Sequence, residues 1–232
     1  MRLIGLVLLA FMLDKFVCFV YCTMKKRQIQ VKNSQGEVIN SGRNDTNGGV
    51  KVVIKRLLYG WMMYSIERLG RVPLQKYRIF ILKKIYRMDI GKNVVIYHGF
   101  HIRAPWNIRI GKGTIVGDGV LLDGRNGLDI GENVNISTEA CIYTEQHDIN
   151  DPYFACANNG GRVVIGNRVW LSSRTTVLPK VTVGDGAVLA SGALTAKNLD
   201  EYTMYGGIPA KKIGERSRNL QYEFDGTYVP FY

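Results

Sequence analysis

Ile110-Gly111-Lys112-Gly113-Thr114, continued by Val116-Gly117-Asp118-Gly119-Val120 and Leu122, is the stretch that decides the fold. An aliphatic residue returns every six positions, commonly followed by Gly and then by polar residues. The same phase opens at Ile90-Gly91-Lys92-Asn93-Val94 with Ile96 and Ile102, and resumes at Ile130-Gly131-Glu132-Asn133-Val134 with Ile136 and Ile142. Two-residue slips separate these series. After an interruption at about 148–164 come Ile165-Gly166, Leu171, Val177, Val183-Gly184-Asp185-Gly186-Ala187 and Leu189. A period held this long means a solenoid of short strands, with the aliphatic residues stacked inside. The Gly and Asn positions suit turns whose backbone conformation most side chains obstruct. Neighbouring coils pair at about 4.8 Å. Periodicity alone leaves the handedness open.

With 232 residues the chain holds one large domain, or one domain and a smaller appendage. The formal charge of +12 is unevenly spread. Residues 1–90 carry 17 Lys and Arg against 5 Asp and Glu, whereas residues 91–232 carry 14 of each. The neutral repeat region therefore offers no basic stripe, and no nucleic-acid recognition motif appears, so no nucleic-acid partner is expected. Cys18, Cys22, Cys141 and Cys156 follow no metal-binding spacing and imply no disulfide framework, which points to free thiols and a cytoplasmic setting.

The N-terminal third divides by composition. Residues 1–23 hold two apolar runs, Leu3 to Leu13 and Phe16 to Cys22, interrupted by Asp14 and Lys15. A spanning helix wants about 20 apolar residues without central charges. Two readings stay open: an anchor at the inner face of the membrane, or a stretch upstream of a true start at Met24. Residues 24–50 read as a polar linker, and 51–88 as a basic amphipathic segment of two helices broken at Gly70 and Pro73. These helices flank the main domain or rest their basic faces on a membrane. The repeats occupy 89–216, and 217–232 form an extension whose aromatic residues are expected to pack on the solenoid end or on a neighbouring subunit.

Several motifs are more specific than the period: Thr144-Glu145-Gln146-His147-Asp148, Val169-Trp170-Leu171, Val177-Leu178-Pro179-Lys180-Val181-Thr182-Val183-Gly184 and Gly206-Gly207-Ile208-Pro209-Ala210-Lys211. On these residues the chain resembles the hexapeptide-repeat acyltransferases, and among them the galactoside, maltose and colanic acid O-acetyltransferases. The resemblance implies a mainly β fold, a left-handed parallel β-helix shaped as a triangular prism, here with an N-terminal α-helical segment. It implies a homotrimer with sites at subunit boundaries, and acetyl-CoA as acyl donor with no metal. The acceptor it implies is a small-molecule or lipid-linked saccharide of cell-surface polysaccharide biosynthesis. Carried over residue by residue, it makes His147 the catalytic base and places Trp170, Asp148 and Glu145 near the acceptor. It assigns Ser173, Ser191 and Ala196 to the pantetheine arm of CoA, and Lys197 and Lys211 to its phosphates. A substrate-binding Asn found upstream in the sugar acetyltransferases has no clear counterpart.

The chemistry agrees with those residue types. A thioester is already activated, so the protein has to deprotonate a hydroxyl, align it and stabilise the oxyanion. Imidazole titrates near neutrality and suits the first task. His147 stands just before the one long interruption, and long loops in compact domains are commonly functional. Asp148, Glu145 or a backbone carbonyl would orient its ring. A rival reading, a zinc site built from His98, His101 and His147 as in carbonic anhydrases of this coil, meets a spacing problem. With the slips removed, His101 and His147 are seven hexapeptides apart, two coils and one side. A non-catalytic scaffold is the other alternative.

Overall fold

The computed structural model describes residues 2–34, 49–152, 154, 156 and 160–232. Three helices precede the solenoid: α1 (Arg2–Ser34), α2 (Val50–Gly70) and α3 (Gln75–Lys84). The coils follow in threes: β1 (Asp89–Ile90), β2 (Val95–Ile96) and β3 (His101–Arg103); β4 (Ile108–Ile110), β5 (Ile115–Val116) and β6 (Leu121–Asp123); β7 (Leu128–Ile130), β8 (Asn135–Ile136) and β9 (Cys141–Ile142). Beyond the interruption come β10 (Val163–Ile165), β11 (Trp170–Leu171) and β12 (Thr176–Val177), then β13 (Thr182–Val183), β14 (Val188–Leu189) and β15 (Leu194–Thr195). The hairpin β16 (Thr203–Gly206) and β17 (Lys211–Glu215) closes the series.

Each strand pairs in parallel with the strand three places on, which gives three faces: β1-β4-β7-β10-β13, β2-β5-β8-β11-β14 with the hairpin added, and β3-β6-β9-β12-β15. This is the left-handed β-helix acetyltransferase fold. The six-residue phase becomes three interior ladders. Ile90, Ile110, Ile130, Ile165 and Val183 line the first face; Ile96, Val116, Ile136, Leu171 and Leu189 line the second; Ile102, Leu122, Ile142 and Val177 line the third. All are buried.

The slips acquire a location. The first becomes a short 3-10 turn at Pro105–Asn107 between β3 and β4. The second lies between β6 and β7, and the long interruption lies between β9 and β10. All three fall where the chain turns from the third face to the first. Coils must stack in register elsewhere, so extra residues collect at the one corner that tolerates them, and per-repeat insertions on one side of a solenoid are where binding sites form.

At the corner between the first and second faces the turns are tight. Gly113 sits at φ +71°, and a Cβ there would strike Asn133 Oδ1, an atom that instead accepts the backbone N–H of Phe224 at 3.0 Å. A Cβ on Gly111 would come within 2.5 Å of the Gly131 carbonyl in the next coil, so this column of glycines is set by close backbone approach.

The C-terminal extension departs from expectation. It does not cover the solenoid end, which the β16–β17 hairpin occupies. It runs back down the first-to-second corner, where Tyr222 donates to the Arg168 carbonyl at 3.0 Å and Glu223 pairs with Lys112 at 3.0 Å, and it ends beyond the second face with Tyr232 packed edge-on against Tyr97 and His98. The turn carbonyls and the Asn133 amide along that corner supply the partners that an extended tail needs. At the other end of the solenoid, Met62, Ile66, Leu69, Ile81 and Leu82 of α2 and α3 join Met88, Ile96, Phe100 and Ile102 in one core.

The expected linker from residue 24 is also corrected. Helix α1 continues to Ser34, since nothing between Met24 and Asn33 is Gly or Pro and most residues there are good helix formers. Residues 35–48 of that linker lie outside the described residues. Asp14 and Lys15, which break the apolar run in sequence, face α2. Asp14 accepts from Trp61 Nε1 at 2.9 Å and from Ser65 Oγ at 3.0 Å, and Lys15 Nζ lies 2.8 Å from Asp14 and 2.9 Å from Ser65. Cys18 and Cys22 are buried beside them, and all four cysteines are free thiols. Among the described residues no helix is long and apolar enough to cross a membrane.

Because Ile136 has an interior neighbour in the coil on either side, Ile136→Ala is expected to cost about 2–5 kcal/mol, read from urea unfolding. A change of under 1 kcal/mol would mean that the ladder is not the core.

Candidate active site

The third-to-first corner is built from its buried base outward. Asp123, at the end of β6, is fully buried. Arg125 grips it from two residues on, with Nε donating to Oδ1 at 3.0 Å and Nη2 to Oδ2 at 2.9 Å. The Asp123 carboxylate also accepts the Thr144 backbone N–H at 3.2 Å. Arg125 Nη1 meets Glu145, whose side chain is 7% exposed. Burial works against the Arg125 charge, but the hydrogen bonds and charges of Asp123 and Glu145 outweigh it and hold its pKa above the ordinary value. Asn126 completes the layer, donating to the Thr144 carbonyl at 2.8 Å through Nδ2 and to Thr144 Oγ1 at 3.1 Å through its backbone. The same Thr144 carbonyl accepts Gly161 N–H at 2.9 Å, which clamps the far end of the interrupting loop beside its start.

On this base stands His147. Its Nδ1 lies 2.6 Å from the Phe154 carbonyl, and its ring stacks on the Phe154 ring at 4.1 Å with 6° between the planes. Of the three candidates for orienting the ring, the backbone carbonyl is the one in place. Glu145 is engaged by Arg125, and Asp148 accepts the Asn150 N–H at 2.9 Å in a local turn. A carbonyl can only accept, so Nδ1 donates to it, and in the neutral form of such a ring the lone pair lies on Nε2, the arrangement a general base requires. Phe154 holds φ +52°, an uncommon conformation for a bulky residue, and it turns that carbonyl toward the ring. Cys156 Sγ lies 3.4 Å from His147 Nδ1. Burial raises the thiol pKa and Glu145 raises it further, against Arg125.

The remaining residues singled out in the sequence fall into separate groups. Ala196 and Lys197 follow β15 at the same corner as His147, exposed, with the Lys197 N–H and carbonyl both bonded to Thr195 Oγ1. Ser173 and Ser191 lie at the second-to-third corner in successive coils. There the Ser173 carbonyl accepts Ser191 Oγ at 2.9 Å and the Gly192 N–H at 3.0 Å. Lys211 opens β17, just after the cis Ile208–Pro209 bond, and the Ala210 N–H reaches the Leu194 carbonyl at 2.7 Å, so it joins the Ser173–Ser191 column. Trp170 projects outward from the second face, 44% exposed, with Nε1 donating to Ser137 Oγ at 3.1 Å. In a three-sided coil the second face lies opposite the corner that bears His147. Trp170 is therefore not beside His147 in this chain, and Ser173, Ser191 and Lys211 lie at a different corner from His147, Ala196 and Lys197.

His98 and His101 are placed elsewhere. His98 packs on Tyr232, and His101 Nδ1 lies 2.9 Å from Glu67. Among the described residues no group of three His, Cys, Asp or Glu could hold a metal ion. The sequence reading passed over Asp123, Arg125 and Asn126, although their position at the second slip, one coil before Thr144, marks them. It also passed over Phe154 and Cys156, whose contact with His147 depends on how the loop folds back. Residues 153, 155 and 157–159 of that loop lie outside the described residues.

Comparison with known proteins agrees with this architecture. Residues 162–197 match the model for the bacterial transferase hexapeptide (six repeats). The putative colanic acid biosynthesis acetyltransferase WcaF of Escherichia coli (strain K12) is 35% identical over 143 residues, covering 62% of this chain and 77% of that protein. A galactoside acetyltransferase in complex with coenzyme A superposes with a TM-score of 0.63 at 21% identity, covering 82% of this chain and 94% of that one. A hexapeptide-repeat acetyltransferase of Vibrio cholerae O1 biovar eltor complexed with acetyl coenzyme A gives 0.60 at 21% identity, covering 73% and 92%.

Arg125→Ala leaves Asp123 buried without its cation, and unfolding is expected to become easier by about 3 kcal/mol. Retention of full stability in a thermal or urea titration would show that the cluster does not hold the corner together.

Proposed function

The chain belongs to the hexapeptide-repeat acetyltransferases, and we propose that it moves the acetyl group of acetyl-CoA to a saccharide hydroxyl with His147 as general base. The observation that carries the reading is the His147 ring, fixed through Nδ1 by the Phe154 carbonyl at the head of the solenoid's long interruption. His147 Nε2 takes the proton of the acceptor hydroxyl as its oxygen attacks the thioester carbonyl. The tetrahedral oxyanion collapses, the C–S bond breaks, and the imidazolium returns the proton to the CoA sulfur. The products are an O-acetyl ester and free CoA. A positioned base of this kind contributes about 10²–10⁴-fold.

The separation of these groups supports assembly as a homotrimer. Ser173, Ser191, Lys211 and Trp170 of one subunit would then face Ala196, Lys197 and His147 of the next, with the pantetheine arm along the column of Ser173 and Ser191 and the phosphates near the lysines. Asp148 borders the acceptor at the loop entrance. Glu145 takes another role than the one expected from the sequence: held by Arg125, it secures the loop instead of contacting the sugar. The similarity to the putative colanic acid biosynthesis acetyltransferase supports an acceptor from cell-surface polysaccharide assembly, free, nucleotide-linked or lipid-linked.

CoA release from acetyl-CoA, followed across a panel of such sugars, should fall by about 10²-fold or more in His147→Ala while acetyl-CoA still binds. Undiminished turnover would remove His147 from the role, and failure of the wild type to bind acetyl-CoA would sink the acetyltransferase reading. Subunit complementation tests the shared site. Refolded together, inactive His147→Ala and Trp170→Ala chains should regain activity at about a quarter of the sites, whereas no recovery would confine the site to one subunit.

A further inference from the structure

The N-terminal helices present an apolar surface that the solenoid leaves uncovered, and we infer that it seats the protein in the plane of an anionic lipid bilayer. On α1 the side chains turned from the protein include Leu9 (64% exposed), Met12 (68%), Leu13 (61%) and Phe16 (62%), and on α2 they include Val53 (52%) and Leu57 (67%). On α1 these positions recur at one-, three- and four-residue steps, the spacing of one helical face. The two charges that interrupt α1 in sequence do not interrupt this face, because Asp14 and Lys15 pair with each other and with Ser65 on the inner side. The outer face of α1 from Leu8 to Met24 therefore carries no charge, over about 24 Å of helix. A contiguous apolar surface of this size on a folded chain marks an interaction site.

Charge selects the occupant. Residues 49–90 carry ten Lys and Arg against two acids, Glu67 and Asp89, and Glu67 is bound to His101. Lys51, Lys55, Arg56, Arg68, Arg71 and Lys76 are exposed on the same helical segment. An uncharged helical face on an otherwise basic segment is the pattern of a helix lying in a lipid interface, its apolar side about 5–10 Å deep and cations of the segment near the headgroups. A symmetric pairing of two such faces would set like charges against each other. A cleft of about 370 Å³ between α1 and α2, lined by Phe11, Trp61 and Tyr64 with Asp14, Lys15, Ser65 and Arg68, opens beside this surface.

The orientation places the chemistry near the membrane. Tyr21 of α1 packs edge-on against Trp106 at 5.7 Å, and Trp106 lies in the 3-10 turn of the third-to-first corner. His147 occupies the same corner two coils further on, about 10 Å along the solenoid. The docking surface does not depend on which acceptor the enzyme uses.

Flotation of the full chain with vesicles of phosphatidylglycerol and phosphatidylethanolamine, against vesicles of phosphatidylcholine, reads the proposal directly. The wild type should float with the anionic vesicles, and less so at high salt. The double substitution Leu13→Glu with Phe16→Glu, at exposed positions that leave the core intact, should weaken flotation at least tenfold with an unchanged melting temperature and unchanged acetyl-CoA binding. Lys51→Glu with Lys55→Glu should weaken binding to the anionic vesicles alone. Folded wild type that stays at the bottom of the gradient, or equal flotation by the Leu13→Glu and Phe16→Glu chain, overturns the inference. So does a lipid-free oligomer that the same double substitution breaks apart, which would give the face to a second copy.

Discussion

Parallel stacking of coils in exact backbone register is the constraint on which this molecule depends. Each strand of the coils, β1 to β15, contributes only two or three residues, too few to hold a sheet alone, and stability comes from ladders in which interior Ile, Val or Leu residues rest on their equivalents in the neighbouring coils. Register then governs the rest. A coil cannot lengthen along a face without displacing its neighbours' side chains, so additional residues go to a corner, and in this chain they go to the same corner three times.

That corner is where packing becomes chemistry. The first insertion makes a tight turn that receives α1, the second brings Arg125 and Asn126 under the following coil, and the third carries His147. The layers depend on one another. Asp123 is tolerated in the interior because Arg125 and two backbone N–H groups satisfy it, and the same arginine reaches up to Glu145. A loop anchored by Thr144 to Gly161 at one end and to a buried ion cluster at the other can hold an imidazole by a single carbonyl, which a floppy loop would not do.

The helical third illustrates how a charge can be present in a sequence yet absent from a surface. Asp14 and Lys15 are adjacent, so on a helix they lie about 100° apart, and both fit the side that packs on α2. Their mutual pairing and the Ser65 hydroxyl compensate the burial. The opposite side of α1 is then apolar from Leu8 to Met24, although the sequence taken linearly shows two runs with a polar break. Hydropathy averaged along a chain does not separate these two situations; direction around the helix does.

The sequence by itself determined the solenoid, since a six-residue period admits few other ways to bury its aliphatic positions, and the Gly and Asn residues that punctuate it mark the turns. It also singled out His147 as a candidate, because an imidazole beside the single long interruption is chemically conspicuous. Tertiary structure alone decided the rest. Which atom orients His147 depends on a loop residue seven positions away folding back. Whether Trp170 meets His147 depends on the three-sided geometry, which sends them to opposite sides of the prism. The path of the C-terminal extension depends on carbonyls that only a formed corner presents. These are contacts between residues whose separation in sequence carries no period, and pattern along a chain reports only what repeats.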